Sequence, residues 1–174
     1  MAKVLIHATM SLDGFIAGPR DEVDWSFQYG TDAMIENIMS EIGAVIIGNR
    51  GFREGSMTES AIPYGGMVKE PQFVVTHEAR DAVSLGGLTF EFVEGIDRAV
   101  EKAKSAAGKK SVALLGASID QQCLTAGLVD EILIHMVPIL LGEGIRLFDH
   151  LDSARTLLER MEIAGHESSL SSRE

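Results

Sequence analysis

Short apolar runs alternate along this chain with stretches of helical periodicity, and each pattern predicts its own kind of element. VLIHATM (4–10), AVIIG (44–48), PQFVVTH (71–77) and SVALLG (111–116) predict buried strands. LTFEFVE (88–94) predicts another, with Leu88, Phe90 and Phe92 on a common side. TDAMIENIMSEIG (31–43) spaces Met34, Ile35, Ile38, Met39 and Ile42 along one helical face. IDRAVEKAKSAAG (96–108) does the same with Ile96, Ala99, Val100 and Ala103, and Gly108 supplies the usual C-terminal stop. SIDQQCLTAG (118–127) predicts a shorter helix, with Ser118 and Gln121 at capping-box spacing and Gly127 at its end.

EILIHMVPILL (131–141) is apolar at successive positions, which predicts a strand buried on both faces and therefore central in its sheet. Pro138 within it predicts a bulge or a change of neighbour. TLLERMEI (156–163) offers a last strand, and GHESSLSSRE closes the chain as a polar stretch. Strands separated by helices, with a strand-rich C-terminal end, define an α/β fold on a mixed sheet. The 174 residues predict one domain over 1–164 and a frayed polar tail over 165–174.

One junction raises a question. The apolar strand does not run into a polar turn; it breaks on Leu141-Gly142-Glu143-Gly144, and Ile145-Arg146-Leu147-Phe148 follows at once. Two glycines around a carboxylate, held between buried segments, imply backbone brought close to something.

The net charge of −11 counts against nucleic acid or an anionic membrane surface as partner. It leaves room for an anionic small molecule, because backbone N–H groups and local cations can hold a phosphate inside an acidic protein. Cys123 is the only cysteine, and the five histidines include no H-x-x-x-H pair, so no metal site is expected. The H-x-E and P-C-x-x-C of zinc base deaminases are absent too. MAKVLIHATM lacks a signal peptide's long apolar region, and Ile132–Gly142 is about half the ~20 residues of a spanning helix. A soluble, cytoplasmic protein is expected.

In open α/β sheets, ligands bind outside the carboxyl ends of the strands. Four strand ends carry suggestive residues: Gly48-Asn49-Arg50, Thr76-His77-Glu78-Ala79-Arg80, Gly116-Ala117-Ser118 and Gly142-Glu143-Gly144. Gly116-Ala117-Ser118 opens a helix, whose unpaired N–H groups and positive dipole end suit an anion such as pyrophosphate; an ordinary capped helix would look the same. Asp120 in its first turn would compete for that dipole. Neither G-x-G-x-x-G nor a P-loop occurs. Arg50 and Arg80 are either phosphate clamps, with Thr76 and His77 as hydrogen-bonding partners, or plain surface charge. His7 and His135 lie in apolar strands, where core histidines are the simpler reading. Trp25 and Phe27 are either core residues or a wall for a flat ring.

Together SLDGFIAG (11–18), Trp25, VIIGNRGFRE, FVVTHEAR and LLGASIDQQCLTAGLVDEILIHMVPILLGEGIRLFD resemble the dihydrofolate-reductase-like superfamily. They resemble most the branch holding the reductase domain of bacterial riboflavin biosynthesis, over about residues 3–163. The resemblance implies a mixed, mostly parallel sheet flanked by helices, and NADPH as hydride donor. It implies that Ala8 meets the nicotinamide carboxamide through its backbone and that Ile16, in the SLDGFIAG loop, covers the ring. Gly48, Asn49 and Arg50 would approach pyrophosphate and adenosine, while Thr76, His77 and Arg80 would take the ribose and its 2′-phosphate. Gly116, Ala117, Ser118 and Ile119 would carry the pyrophosphate. Asp13, Trp25, Gly142, Glu143 and Gly144 would lie toward the substrate.

Asp32, at a distance before Gly48 similar to that of the acid of folate reductases, and Glu143 are the catalytic candidates; no proton donor stands out. The turn at Gly116 has fewer glycines than the family's, and LLERMEIAGHESSLSSRE lacks the family's final apolar strand. The implied activity is NADPH-dependent reduction of a small heterocycle or ribosylaminopyrimidine, like that of a 5-amino-6-(5-phosphoribosylamino)uracil reductase, by a homodimer. The alternatives are a non-catalytic nucleotide-binding or sensor protein on the same fold, and a folate-type reductase.

Overall fold

Where the sequence alternates apolar runs with amphipathic stretches, the chain folds as parallel strands joined by helices. The computed structural model describes residues 1–29, 33–50, 52, 62–78, 80–149, 151 and 157–163. The elements are β1 (Val4–Ser11), β2 (Phe15–Ala17), α1 (Ala33–Ser40), β3 (Ile42–Gly48), β4 (Gln72–Thr76), β5 (Val83–Leu85), β6 (Leu88–Glu94), α2 (Ile96–Ala107), β7 (Ser111–Leu115), α3 (Ala117–Thr125), β8 (Glu131–Val137) and β9 (Ile145–Arg146). Seven strands form the main sheet in the order β5-β6-β4-β3-β7-β1-β8, and β2 pairs with β9 beside it. Every neighbouring pair in the main sheet is parallel except β5–β6. The expected mixed, mostly parallel sheet flanked by helices is what the chain forms.

Two apolar layers hold it. On one face Val4, Ile6, Ala44, Ile46, Val112 and Leu114 pack against Ala99, Val100 and Ala103 of α2 and Ile119 and Cys123 of α3. On the other, Val45, Ile47, Val74 and Ala113 meet Phe52, Ile62, Val68 and Phe90, with Met39 of α1 at the margin. The strands between these layers are apolar at successive positions because both faces are covered, as parallel sheets require. Burying each large apolar side chain contributes about 1.5–3 kcal/mol.

Gly108 and Gly127 end their helices with φ of 64° and 67°, as their positions in the sequence predict. Several expectations need correction. Ile42, assigned to a helix face, begins β3, and the described part of the first helix stops at Ser40. The capping box does not form: Gly116 is the N-cap of α3, and no side chain caps it. Gln121 instead sends its amide to the carbonyls of Arg146 and Leu147, at 3.2 and 3.0 Å.

β8 is not central. It lies at the edge of the main sheet and stops at Val137, before Pro138, which removes a ladder donor. Most of its residues are half-buried, Met136 is 59% exposed, and no strand among the described residues pairs with its outer side. Residues 157–163, part of the expected last strand, are described without strand structure. The expected tail lies outside the described residues. The β5–β6 hairpin escaped the periodicity reading because β5 is only three residues long; Gly86-Gly87 forms its turn.

Candidate functional site

Because β3, β4, β7, β1 and β8 run parallel, their carboxyl ends open on one edge of the sheet. The turns after Gly48, Thr76, Leu115, Ser11 and Val137 therefore gather there. β7, late in sequence, inserts between β3 and β1, so α3 begins in the middle of this row.

Gly116 joins β7 to α3 with φ 105°, a conformation other residues rarely adopt, and a Cβ placed there would meet nothing within 4 Å. No side chain caps α3; the Ile119 and Asp120 amides close on the Gly116 carbonyl at 2.9 and 3.1 Å, while the Ala117 and Ser118 amides, the first of the helix, have no intrahelical partner and suit an anion. Ala117 and Ile119 are buried, and Ile119 packs 3.4 Å from where a Cβ on Gly48 would lie. Ser118 is exposed and takes the Gln122 amide at 3.1 Å on its hydroxyl. The sequence candidates at Gly48 and at Gly116–Ile119 thus meet.

Asn49 donates its amide to the Val75 carbonyl at 3.0 Å, fastening the turn after β3 to the end of β4. Arg50 is exposed and lies 3.5 Å from Asp21, which brings the loop after β2 over this edge. Thr76 is buried, with its hydroxyl accepting the Glu78 amide at 3.3 Å. His77 is exposed. The Arg80 guanidinium lies 3.8 Å from the centre of the Phe92 ring and 5.7 Å from that of Phe52, within cation–π range of both. Arg50, His77 and Arg80 therefore sit on adjacent strand ends.

Asp13 is committed to the turns around it. Its carboxylate accepts the Ser11 hydroxyl at 2.6 Å, the Gly142 amide at 2.8 Å and the Leu141 amide at 3.2 Å. The Ser11 hydroxyl above all, then these backbone amides, hold its pKa down to about 2. Glu143 is exposed. Gly144 answers the question its sequence raised. A Cβ there would lie 2.1 Å from the carbonyl oxygen of Ala17, so the backbone brought close is the chain's own, at the end of β2. Ala8 and Ile16 are half-buried against the α2–α3 layer. Trp25 is buried and donates its indole N–H to the Glu22 carbonyl at 3.1 Å. Asp32 lies outside the described residues.

The sequence reading missed two features. The first joins His7 of β1, His135 of β8 and Tyr64. His7 Nδ1 is 3.0 Å from the Tyr64 hydroxyl, and its Nε2 is 2.8 Å from His135 Nε2. Burial, then the neighbouring His135, pushes His7 down to about 4, and burial lowers His135 as well, so both rings are neutral near pH 7. Tyr64 sits at φ 55°, rare for a bulky side chain. The second is Asp120, fully buried with an Oδ1 that has no hydrogen-bond partner among the described residues. Burial raises it to about 7, so it does not compete for the α3 dipole as a full anion. A tyrosine between Pro63 and Gly65-Gly66, and a histidine within each of two apolar runs, were the available signals.

The architecture is an α/β fold of dihydrofolate-reductase type. The family model described as the RibD C-terminal domain matches residues 2–170, and the chain belongs to this family. The uncharacterized protein YyaP of Bacillus subtilis (strain 168) is 26% identical over 155 residues, covering 84% of this chain and 80% of that protein. A putative riboflavin biosynthesis protein from Shewanella sp. PV-4 superposes with a TM-score of 0.69 at 24% identity, covering 88% of this chain and 86% of that one. Dihydrofolate reductase from Enterococcus faecalis, complexed with NADP(H), gives 0.53 at 14% identity, with 86% and 79% covered. Among the described residues, no helix is long and apolar enough to cross a membrane.

Proposed function

We propose that this protein is an NADPH-dependent reductase of a small heterocycle or ribosylaminopyrimidine, related in chemistry to 5-amino-6-(5-phosphoribosylamino)uracil reduction. The observation that carries the reading is the uncapped turn at Gly116, which opens α3 toward unfilled space in the middle of the strand-end row. Its N–H groups would hold the pyrophosphate. Arg50, His77 and Arg80 would hold the adenosine end and its 2′-phosphate. When bound, the dihydronicotinamide supplies a hydride to the carbon of a C=N or C=O bond. The chain's part is to orient both reactants, exclude water and supply a proton. Membership of the RibD C-terminal domain family supports the substrate class. We propose a homodimer as the working form, because β8 leaves an open edge with half-buried apolar side chains.

Calorimetric titration with NADPH and NADH tests the cofactor, with tighter NADPH binding expected. NADPH oxidation with 5-amino-6-(5-phosphoribosylamino)uracil, dihydrofolate and small carbonyl compounds tests the reaction. Tight binding without oxidation would instead mark a nucleotide-binding module.

A further inference from the structure

Hydride transfer to a C=N or C=O bond leaves a heteroatom that needs a proton, which a side chain or a bound water must supply. Asp13 is ionised and bound to the turns around it, Glu143 is an exposed turn residue, and Asp32 lies outside the described residues. The His7–Tyr64–His135 cluster is different in kind. His7 directly precedes Ala8 on β1, and Tyr64 follows the Gly48 turn in the segment leading to β4. Asp120, in the first turn of α3, is near enough to raise the Tyr64 phenol further above its ordinary range, after burial itself. The phenol is hydrogen-bonded to β1 through His7 and feels the charge of Asp120 on α3. His7, Tyr64 and His135 are each half-buried, and His135 lies on β8, the edge strand of the main sheet.

We infer that Tyr64 is the proton donor of the reductase site and that His7 and His135 relay the replacement proton to it from solvent. The inference rests on the reductase reading. The Tyr64 O–H bond breaks and a new bond forms between its proton and the substrate nitrogen or oxygen, while the adjacent carbon receives the hydride. The phenolate oxygen takes the proton of His7 Nδ1. His7 Nε2 takes that of His135 Nε2, across 2.8 Å. The half-exposed His135 ring regains a proton from water at Nδ1, so the whole step consumes one hydride and one solvent proton. Neutral histidines suit this relay, because each ring then offers one donor and one acceptor and the chain conducts without a buried charge. Among the described residues, the titratable groups acting on the cluster are Tyr64, His7, His135 and Asp120. The raised phenol stays protonated throughout the working pH range.

The test uses the whole protein with NADPH and the acceptors named above. Tyr64→Phe keeps the ring and is expected to slow single-turnover NADPH oxidation by ~100-fold or more, in the range of general acid catalysis. Its calorimetric NADPH affinity should stay within about twofold, since the hydroxyl serves proton transfer and not cofactor binding. His135→Ala should lose ~10-fold or more, and free imidazole should restore most of that loss, which a packing role would not allow. Histidine ¹⁵N spectra of the parent should show His7 neutral down to about pH 4. A Tyr64→Phe rate within about threefold of the parent, or no imidazole rescue, overturns the relay and leaves the reductase reading standing. A parent that oxidises NADPH with none of the acceptors overturns both.

Discussion

The Gly142 amide donates to the Asp13 carboxylate at 2.8 Å, tying the turn after β1 to the turn after β8. The folded pKa of Asp13, about 2, lies below its ordinary 3.8. Its stabilising contribution is therefore complete above about pH 4 and is lost as pH falls from there toward 2. Asp13→Asn should lower the urea midpoint at pH 7 and flatten the acid limb of stability between pH 4 and 2. Parallel denaturation curves across that range check both effects.

Gly144 is expected to report on folding. At φ 144°, with the Ala17 carbonyl where a Cβ would go, any side chain must displace backbone. Gly144→Val should cost at least ~2 kcal/mol, or a melting temperature lower by ~4–8 °C. Melting and NADPH titration of one sample separate this from a loss confined to binding.

The Arg80 guanidinium lies over the Phe92 ring, 3.8 Å from its centre. Arg80→Ala should weaken NADPH binding by more than ~10-fold while NADH binding hardly changes, because a charge-assisted contact to the 2′-phosphate is worth about 1.5–3 kcal/mol. Arg80→Lys should recover only part of it, since the ammonium cannot stack as the guanidinium does. Calorimetry with both dinucleotides reads the difference.

Asp120 makes the opposite prediction about pH. Its folded pKa of about 7 exceeds the ordinary 3.8, so the folded state binds the extra proton between those values and stability declines as pH rises through them. Asp120→Asn should be more stable than the parent at pH 8, by a few kcal/mol on the order set by such a shift, and should show little gain at pH 4. Denaturation at the two pH values checks the sign.

The open edge of β8 and the exposed Met136 and Leu140 beside it should be covered by a second copy. Light scattering at micromolar concentration should give twice the 18.8 kDa of one chain. Met136→Lys should shift it toward the single-chain mass.

Local chemistry made much of this protein legible from its residues. The apolar runs at 4–10, 88–94 and 111–116 became β1, β6 and β7 within a residue or two, because a strand between packed layers must be apolar whatever its neighbours. Gly108 and Gly127 stop their helices because left-handed backbone is a property of the residue itself. The strand-end turns were visible for the same reason, since each is written in consecutive residues.

What tertiary structure alone decided is which of these meet. EILIHMV reads as a central strand, yet it lies at the edge, because apolarity records burial without naming the neighbour that provides it. The two glycines after it pointed to a close approach; in the fold Gly144 makes it, against Ala17, and a Cβ on Gly142 would meet nothing within 4 Å. His7 and His135 are 128 residues apart. Their contact comes from the β1–β8 register, which sets His7 opposite Leu133 and Thr9 opposite His135, so that the two rings become diagonal neighbours on one face. No spacing within either strand contains that relationship, because it belongs to the pairing of two strands and exists only once both are in the sheet.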